Sequence, residues 1–135
     1  MAFWRTYYHL IWTTKEREPL IQPEVEALLY PYILGKVQHQ GGIAHAANGV
    51  EDHVHLIVSI PPKLAIADFI QHIKGSSSRH IRQNTSVGQA FQWQRGYGVL
   101  SLGSKQLDIA IAYVENQKLH HAEKSTIPAL EHELN

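Results

Sequence analysis

Two histidines separated by one residue carry the strongest chemical signal in the sequence. His53-Val54-His55 lies in the segment DHVHLIVSI, whose apolar and β-branched composition predicts a strand. Side chains at positions i and i+2 of a strand project from one face, so the two imidazoles point together and Val54 and Leu56 point toward the core. Paired imidazoles can supply two ligands to a metal ion. The same spacing is also typical of two histidines that are only hydrogen-bonded on a half-exposed sheet and bind no metal.

A tyrosine and an amide lie one turn apart on the last predicted helix, which begins at Ser104 and runs to about His121. Its apolar stripe consists of Leu107, Ala110, Ile111 and Val114. Residues three and four apart stack on one side of a helix, so Tyr113 and Gln117 share a neighbouring polar stripe. This pair offers a phenol nucleophile beside an amide oxygen, and it equally describes an amphipathic tyrosine at the edge of a core.

The elements that must position these groups follow the order β-α-β-β-α-β-α. Composition and periodicity predict strands at residues 3–14, 43–48, 53–60 and 91–102 and helices at 24–40, 64–83 and 104–121. Asn48-Gly49 predicts the turn between the second and third strands, and Pro31 predicts a kink or a split in the first helix. We therefore expect an α+β fold, a ferredoxin-like antiparallel sheet with two or three helices packed on one face.

Length and composition limit the remaining possibilities. The chain has 135 residues, 44% of them hydrophobic and 18% charged, which predicts one folded domain over residues 1–135. The absence of cysteine excludes disulfides, thiolate zinc sites and cysteine nucleophiles, and it fits a reducing cytoplasm. The first residues lack the layout of a signal peptide, and no apolar run approaches the roughly 20 residues that a membrane span needs. A cytoplasmic protein without a membrane partner is expected.

Five segments, in this order, resemble the blocks of a known family. They are HLIWTTKEREPLI, DHVHLIVSIPP, IKGSSSRHIR, FQWQRGYGVLSLG and YVENQKLHH, and they extend from about His9 to His121. Together they resemble the single-tyrosine HUH transposases of small bacterial insertion sequences, of the TnpA type. The REP-associated tyrosine transposases, which are domesticated relatives, share much of the pattern.

The resemblance implies a role for each motif residue. Tyr113 would be the nucleophile, and His53, His55 and Gln117 would hold Mg²⁺ or Mn²⁺. The substrate would be single-stranded DNA with hairpin ends, cut through a 5′-phosphotyrosine intermediate. A homodimer is implied, in which the tyrosine helix of one subunit can complete the metal site of the other. No small-molecule cofactor is expected.

Other residues are weaker candidates. The formal net charge is zero, but basic residues in the second half of the chain suit contacts to DNA phosphates: Lys74, Arg79, Arg82 and Arg95. Trp93 and Tyr97 suit either base stacking or the core. Asp52 is a candidate hydrogen-bond partner of the ligand histidine His53, or else a residue that stabilises the turn. His120 is a candidate for the group that takes the proton from Tyr113.

Three other interpretations stay open at this point. The first is a domesticated relative that binds hairpins and no longer transposes. The second is a metal-dependent nuclease that uses water as the nucleophile at His53 and His55, which leaves Tyr113 without a chemical role. The third is a purely structural α+β protein.

Overall fold

The computed structural model describes residues 3–118. Its elements follow the predicted order: β1 (Tyr7–Thr13), α1 (Pro23–His39), β2 (Ile43–Val50), β3 (His53–Ser59), α2 (Ile66–Asn84), β4 (Gly98–Leu102) and α3 (Ser104–Glu115), with a short 3-10 turn at Lys15–Arg17. No helix within the described part is long and apolar enough to cross a membrane.

The four strands form one sheet in the order β2-β3-β1-β4, and every neighbouring pair is antiparallel. This is the strand order of a ferredoxin-like α+β fold, as the element order predicts. The two central strands are β1 and β3, and their register places Thr13 opposite His53 and Ile11 opposite His55. The HxH pair therefore lies in the middle of the sheet.

Helices cover both faces of the sheet. On one face, Leu10, Trp12, Val54, Leu56 and Val58 pack against the buried sides of α1 and α2. On the other face, Ala46 and Ile57 pack against Ala110 and Val114 of α3. Of the two or three helices expected on one face, α1 and α2 lie there. The helix α3 covers the other face, because all seven residues of β3 are buried and such a strand needs cover on both sides.

The turn between β2 and β3 lies later than predicted. Asn48 and Gly49 remain in β2, paired with His55 and Val54, and the turn falls at Glu51-Asp52. A Cβ atom at Gly49 would collide with the carbonyl oxygen of His53 and lie 2.7 Å from the Tyr30 hydroxyl. Gly49 is thus required by close packing inside the hairpin, and not by a turn conformation.

Other boundaries also differ from the prediction, and β1 begins at Tyr7 and not at residue 3. The helix α1 runs unbroken through Pro31, so the predicted split is wrong. The strand β4 begins only at Gly98, and within residues 91–97 a single bridge joins Trp93 to Thr14, followed by Gly96 at a φ of 88°. The helix α3 ends at Glu115 with Asn116 as its C-cap, and positions 119–121 lie outside the described residues.

Candidate active site

The two histidines of β3 face the side of the sheet that α3 covers. Strand alternation sends Val54 and Leu56 into the core beneath α1 and α2, so His53 and His55 project toward α3. Their ring centroids lie 5.0 Å apart with an interplanar angle of 70°. Both residues are buried, so the two imidazoles lie side by side in the interior of the protein.

The last helix brings Tyr113 and Gln117 to the same place. Because Ala110 and Val114 seat α3 on the sheet, Tyr113 points inward, 4% exposed, with its ring centroid 6.4 Å from that of His55. Gln117, just past the end of α3, is fully buried, and its Oε1 lies 3.1 Å from Nε2 of His53. Four residues predicted from two distant segments thus lie together.

Asp52 fixes the orientation of His53. The Nδ1 atom of His53 lies 2.7 Å from Oδ1 of Asp52, so a proton on Nδ1 is donated to the carboxylate. In the neutral imidazole this leaves the lone pair on Nε2, which faces Gln117. The other carboxylate oxygen of Asp52 lies 3.5 Å from Nε of Arg17. Asp52 therefore contacts a candidate ligand directly, in addition to its place in the turn.

The donor set fits a divalent metal ion. Neighbouring ligands of an octahedral ion at about 2.1 Å stand roughly 3 Å apart, and Nε2 of His53 and Oε1 of Gln117 are separated by 3.1 Å. Nearby, Oγ1 of Thr13, opposite His53 in the sheet, is buried without a hydrogen-bond partner among residues 3–118. No cluster of three His, Cys, Asp or Glu in that range could hold a metal ion. Oε1 of Gln117 is therefore the donor atom that lies beside Nε2 of His53 in the described residues.

His9 belongs to the same cluster, although the sequence analysis assigns it no role. It is fully buried on β1, and its Nε2 lies 2.7 Å from Nδ1 of His55. One feature of the sequence could have indicated a role. His9 lies inside the apolar strand YYHLIWT, on the same face as Ile11 and Thr13, where a histidine is unusual. The contact with His55 could not be predicted, because it depends on the register between β1 and β3.

The end of α3 is anchored to β2 and α1. The Nζ atom of Lys118 donates to Oδ1 of Asn48 at 2.7 Å and to the carbonyl oxygen of Gly49 at 3.0 Å, and it lies 3.1 Å from Oε1 of Glu26. The side-chain amide of Asn48 donates to the carbonyl of Glu115 at 3.1 Å. We call these contacts the Lys118 clamp. His120, the candidate helper of Tyr113, lies outside the described residues.

Three of the four predicted DNA-contacting cations line one cleft, on the other face of the sheet from Tyr113. Lys74, Arg82 and Arg95 border an open cleft of about 560 Å³ between α2 and residues 92–97, on the face of the sheet opposite α3. Lys74 donates to the carbonyl oxygens of Gln94 and Gly96 at 2.7 and 2.8 Å, and burial lowers its pKa to about 8. Among residues 3–118, this cleft, named here the α2 cleft, is lined by cations and by no carboxylate.

The remaining candidates on this face differ in exposure. Arg79 is exposed and lies outside the α2 cleft. Trp93 donates from Nε1 to Oγ of Ser77 at 3.0 Å and packs edge-on against Trp12, so it is mainly a core residue. Tyr97 is half-buried and lines the α2 cleft.

Comparison with known proteins decides the family. The model of the family described as "Transposase IS200 like" matches residues 2–117. The chain belongs to this family. An IS200-like transposase is an enzyme that cleaves and transfers DNA, and transposition of an insertion sequence is its general activity.

Two relatives support the assignment to the IS200-like transposases. The chain is 31% identical over 116 residues to the ISDra2 transposase TnpA of Deinococcus radiodurans, covering 82% of each protein. It is 24% identical over 120 residues to the transposase for insertion sequence element IS200 of Salmonella typhimurium, covering 84% of this chain and 78% of the relative.

Two solved structures have the same fold. A transposase from Deinococcus radiodurans superimposes with a TM-score of 0.67 and 27% identity, over 87% of this chain and 95% of the other. A REP-associated tyrosine transposase bound to a REP hairpin superimposes with a TM-score of 0.66 over 90% of this chain and 74% of the other. At 13% identity, the second likeness concerns the fold alone.

Proposed function

We propose that this IS200-like transposase is a single-tyrosine HUH enzyme, which cuts and rejoins single-stranded DNA with hairpin ends through a 5′-phosphotyrosine on Tyr113. One observation carries the proposal. His53 and His55 from β3 lie beside Tyr113 from α3 and Gln117 just after it, buried on one face of the sheet. Mg²⁺ or Mn²⁺ is the proposed ion, because phosphoryl transfer needs a hard, labile cation.

Each residue of the site has a part in the proposed reaction. His53, His55 and Gln117 would hold the ion, and the bound ion supplies Lewis-acid neutralisation of charge at the scissile phosphate. The hydroxyl oxygen of Tyr113 attacks phosphorus, loses its proton and forms a phosphotyrosine bond. The bond to the 3′ oxygen breaks, and that oxygen leaves as a 3′-hydroxyl after taking up a proton. One phosphodiester is thereby exchanged for another.

The covalent link explains how the ends can be rejoined without a nucleotide cofactor. A phenoxide leaves more readily than an alkoxide, because the ordinary pKa of a phenol is near 10. The 3′-hydroxyl of another strand can therefore displace the tyrosine and restore a phosphodiester. The placement of Tyr113, 4% exposed and packed beside His55, favours a tyrosine nucleophile over the water-using nuclease.

The α2 cleft is the proposed contact surface for DNA. Its cations can bind phosphates, and Tyr97 can stack on a base. A neutral chain that gathers cations in one cleft can bind DNA locally, with an affinity that falls as salt is added.

We also propose a homodimer, which the family resemblance implies. Exposed apolar side chains lie on both edge strands of the sheet, Ile43 on β2 and Val99 on β4. Edge strands offer unpaired backbone groups that a second copy can use to extend the sheet.

Covalent trapping tests the proposed chemistry. Labelled single-stranded DNA carrying the flanks of the gene's own locus is incubated with Mg²⁺ or Mn²⁺ and the native protein, Tyr113→Phe or Tyr32→Phe. Tyr32 is a tyrosine of α1 whose ring packs on His80, away from the site, so it is the matched control. The native protein and the control should form a protein–DNA adduct that a chelator abolishes, and Tyr113→Phe should form none.

The other outcomes select the alternatives. Cleavage that persists in Tyr113→Phe would identify a nuclease that uses water. Binding of hairpins without adduct or cleavage, across several flanking sequences, would identify a domesticated binding protein.

A further inference from the structure

The contact between His9 and His55 joins two fully buried imidazoles. Nε2 of His9 lies 2.7 Å from Nδ1 of His55, and the ring centroids are 4.9 Å apart at an angle of 44°. The two residues project from adjacent central strands, since Ile11 is directly opposite His55 and His9 is two positions away on the same face. One hydrogen atom must lie between the two nitrogens. The tautomer of His55 depends on which of the two nitrogens carries it.

Only one of the two tautomers leaves His55 able to bind a metal with Nε2. A neutral imidazole carries one N–H, and the other nitrogen offers its lone pair. If Nδ1 of His55 holds the proton, His9 accepts it and Nε2 of His55 is a ligand. If Nε2 of His9 holds the proton, His55 accepts at Nδ1, and the neutral His55 ring then carries its own proton on Nε2, where a metal would have to bind.

We propose that His9 is a positioning residue, which accepts the Nδ1–H of His55 and thereby presents Nε2 of His55 to the metal. The proposal rests on the proposed metal site. It gives each candidate ligand histidine a dedicated acceptor: the carboxylate of Asp52 for His53, and the imidazole of His9 for His55. Such partners set ring orientation and tautomer in metal sites, and their loss typically weakens metal binding 10- to 100-fold.

The two acceptors differ in character. Asp52 is charged, is a quarter exposed at its side chain and also contacts Arg17. His9 is fully buried in the interior of the sheet, where a carboxylate without a cation would be costly to place. A neutral imidazole is an acceptor that brings no charge into this interior, and its rigid ring holds Nε2 in place.

The test uses two substitutions of His9 and one control. In His9→Gln the amide oxygen can reach the position of Nε2 and keep an acceptor, whereas His9→Leu removes it. His45→Gln is the control, because His45 lies on β2 and contacts Oγ of Ser59 at 2.9 Å, away from His55. Proton–nitrogen correlation NMR on the metal-free proteins reports the tautomer of His55, and titration with Mn²⁺ alone reports the dissociation constant.

The native protein and His9→Gln should carry the proton of His55 on Nδ1, and His9→Leu should move it to Nε2. The dissociation constant for Mn²⁺ should rise about 10- to 100-fold in His9→Leu, less in His9→Gln, and not at all in the control. A native His55 protonated on Nε2 would overturn the proposal, even if His9→Leu fails to fold. So would native Mn²⁺ affinity in a folded His9→Leu.

The NMR measurement separates this proposal from the proposed function. If the native protein binds no Mn²⁺ and forms no adduct, the metal-dependent mechanism fails. The tautomer of His55 in the metal-free protein still shows whether His9 is the acceptor.

Discussion

Replacing Lys118 with methionine should release the end of α3 from the sheet. The substitution keeps most of the aliphatic length and removes the ammonium group that contacts Asn48, Gly49 and Glu26. The side chain of Lys118 is 50% exposed, so its ion pair with Glu26 contributes about 0.2–1 kcal/mol. Each of its two hydrogen bonds adds about 0.5 kcal/mol, the low end of the usual range, because water competes for them.

The free energy that holds α3 on the sheet should therefore fall by about 1–2 kcal/mol, which is a factor of roughly 5–30 in the equilibrium constant for docking of α3. This loss should act mainly on docking of α3, because this helix is held by the small cluster of Ala46, Ile57, Ala110 and Val114. The larger core beneath α1 and α2 does not involve Lys118. Local opening of α3 should become more frequent, with little change in global unfolding.

Amide hydrogen exchange resolved by residue is the appropriate assay. Exchange within Ala110–Glu115 should accelerate by that factor in Lys118→Met, and adduct formation by Tyr113 should decline with it. Lys105→Met, an exposed lysine in the first turn of the same helix, is the control. Unchanged protection of α3 in Lys118→Met would refute the idea that the Lys118 clamp holds the helix. Equal acceleration in β3 would show that the effect is global.

Three further perturbations test the site and the fold. Asp52→Asn removes the charged acceptor of the His53 N–H, so Mn²⁺ affinity should fall about 10- to 100-fold by titration; native affinity would argue against that orientation. The charge of Lys74 is present below its pKa of about 8 and is lost above it. Hairpin affinity by fluorescence anisotropy should thus fall between pH 7 and 9 more in the native protein than in Lys74→Arg, and parallel curves would exclude Lys74. Leu56→Ala should lower the free energy of unfolding in urea by about 2–5 kcal/mol, because Leu56 is fully buried in the larger core; a loss below 1 kcal/mol would contradict that packing.

The parts of the fold that depend on local periodicity could be predicted from the sequence. Alternation along DHVHLIVSI placed the histidines on one face and Val54 and Leu56 on the other, and the structure has that arrangement. The apolar stripe of α3 likewise matches the residues that it packs on the sheet. In each case the pattern lies within one element, where the period of the backbone alone determines which side chains share a face.

The parts that depend on contacts between elements could not be predicted. Alternation shows that β3 has two faces, but not which helix covers each, so the face that α3 covers could not be assigned. Asn48-Gly49 has the composition of a turn, but the glycine is required by the approach of Tyr30 and of the His53 carbonyl. The contact of His9 with His55 needs the register between β1 and β3, which no local pattern contains.

The placement of helices on opposite faces makes the sheet a partition. The α2 cleft lies on one side, and Tyr113 with the two histidines of β3 lies on the other, so the two regions share no lining side chain. Energetic effects of substitutions at separate sites without common partners are usually additive. Under the roles proposed for the α2 cleft and Tyr113, selection can therefore change how the enzyme binds its DNA without disturbing how it cuts, and a lineage that acquires a new recognition sequence can inherit its chemistry intact.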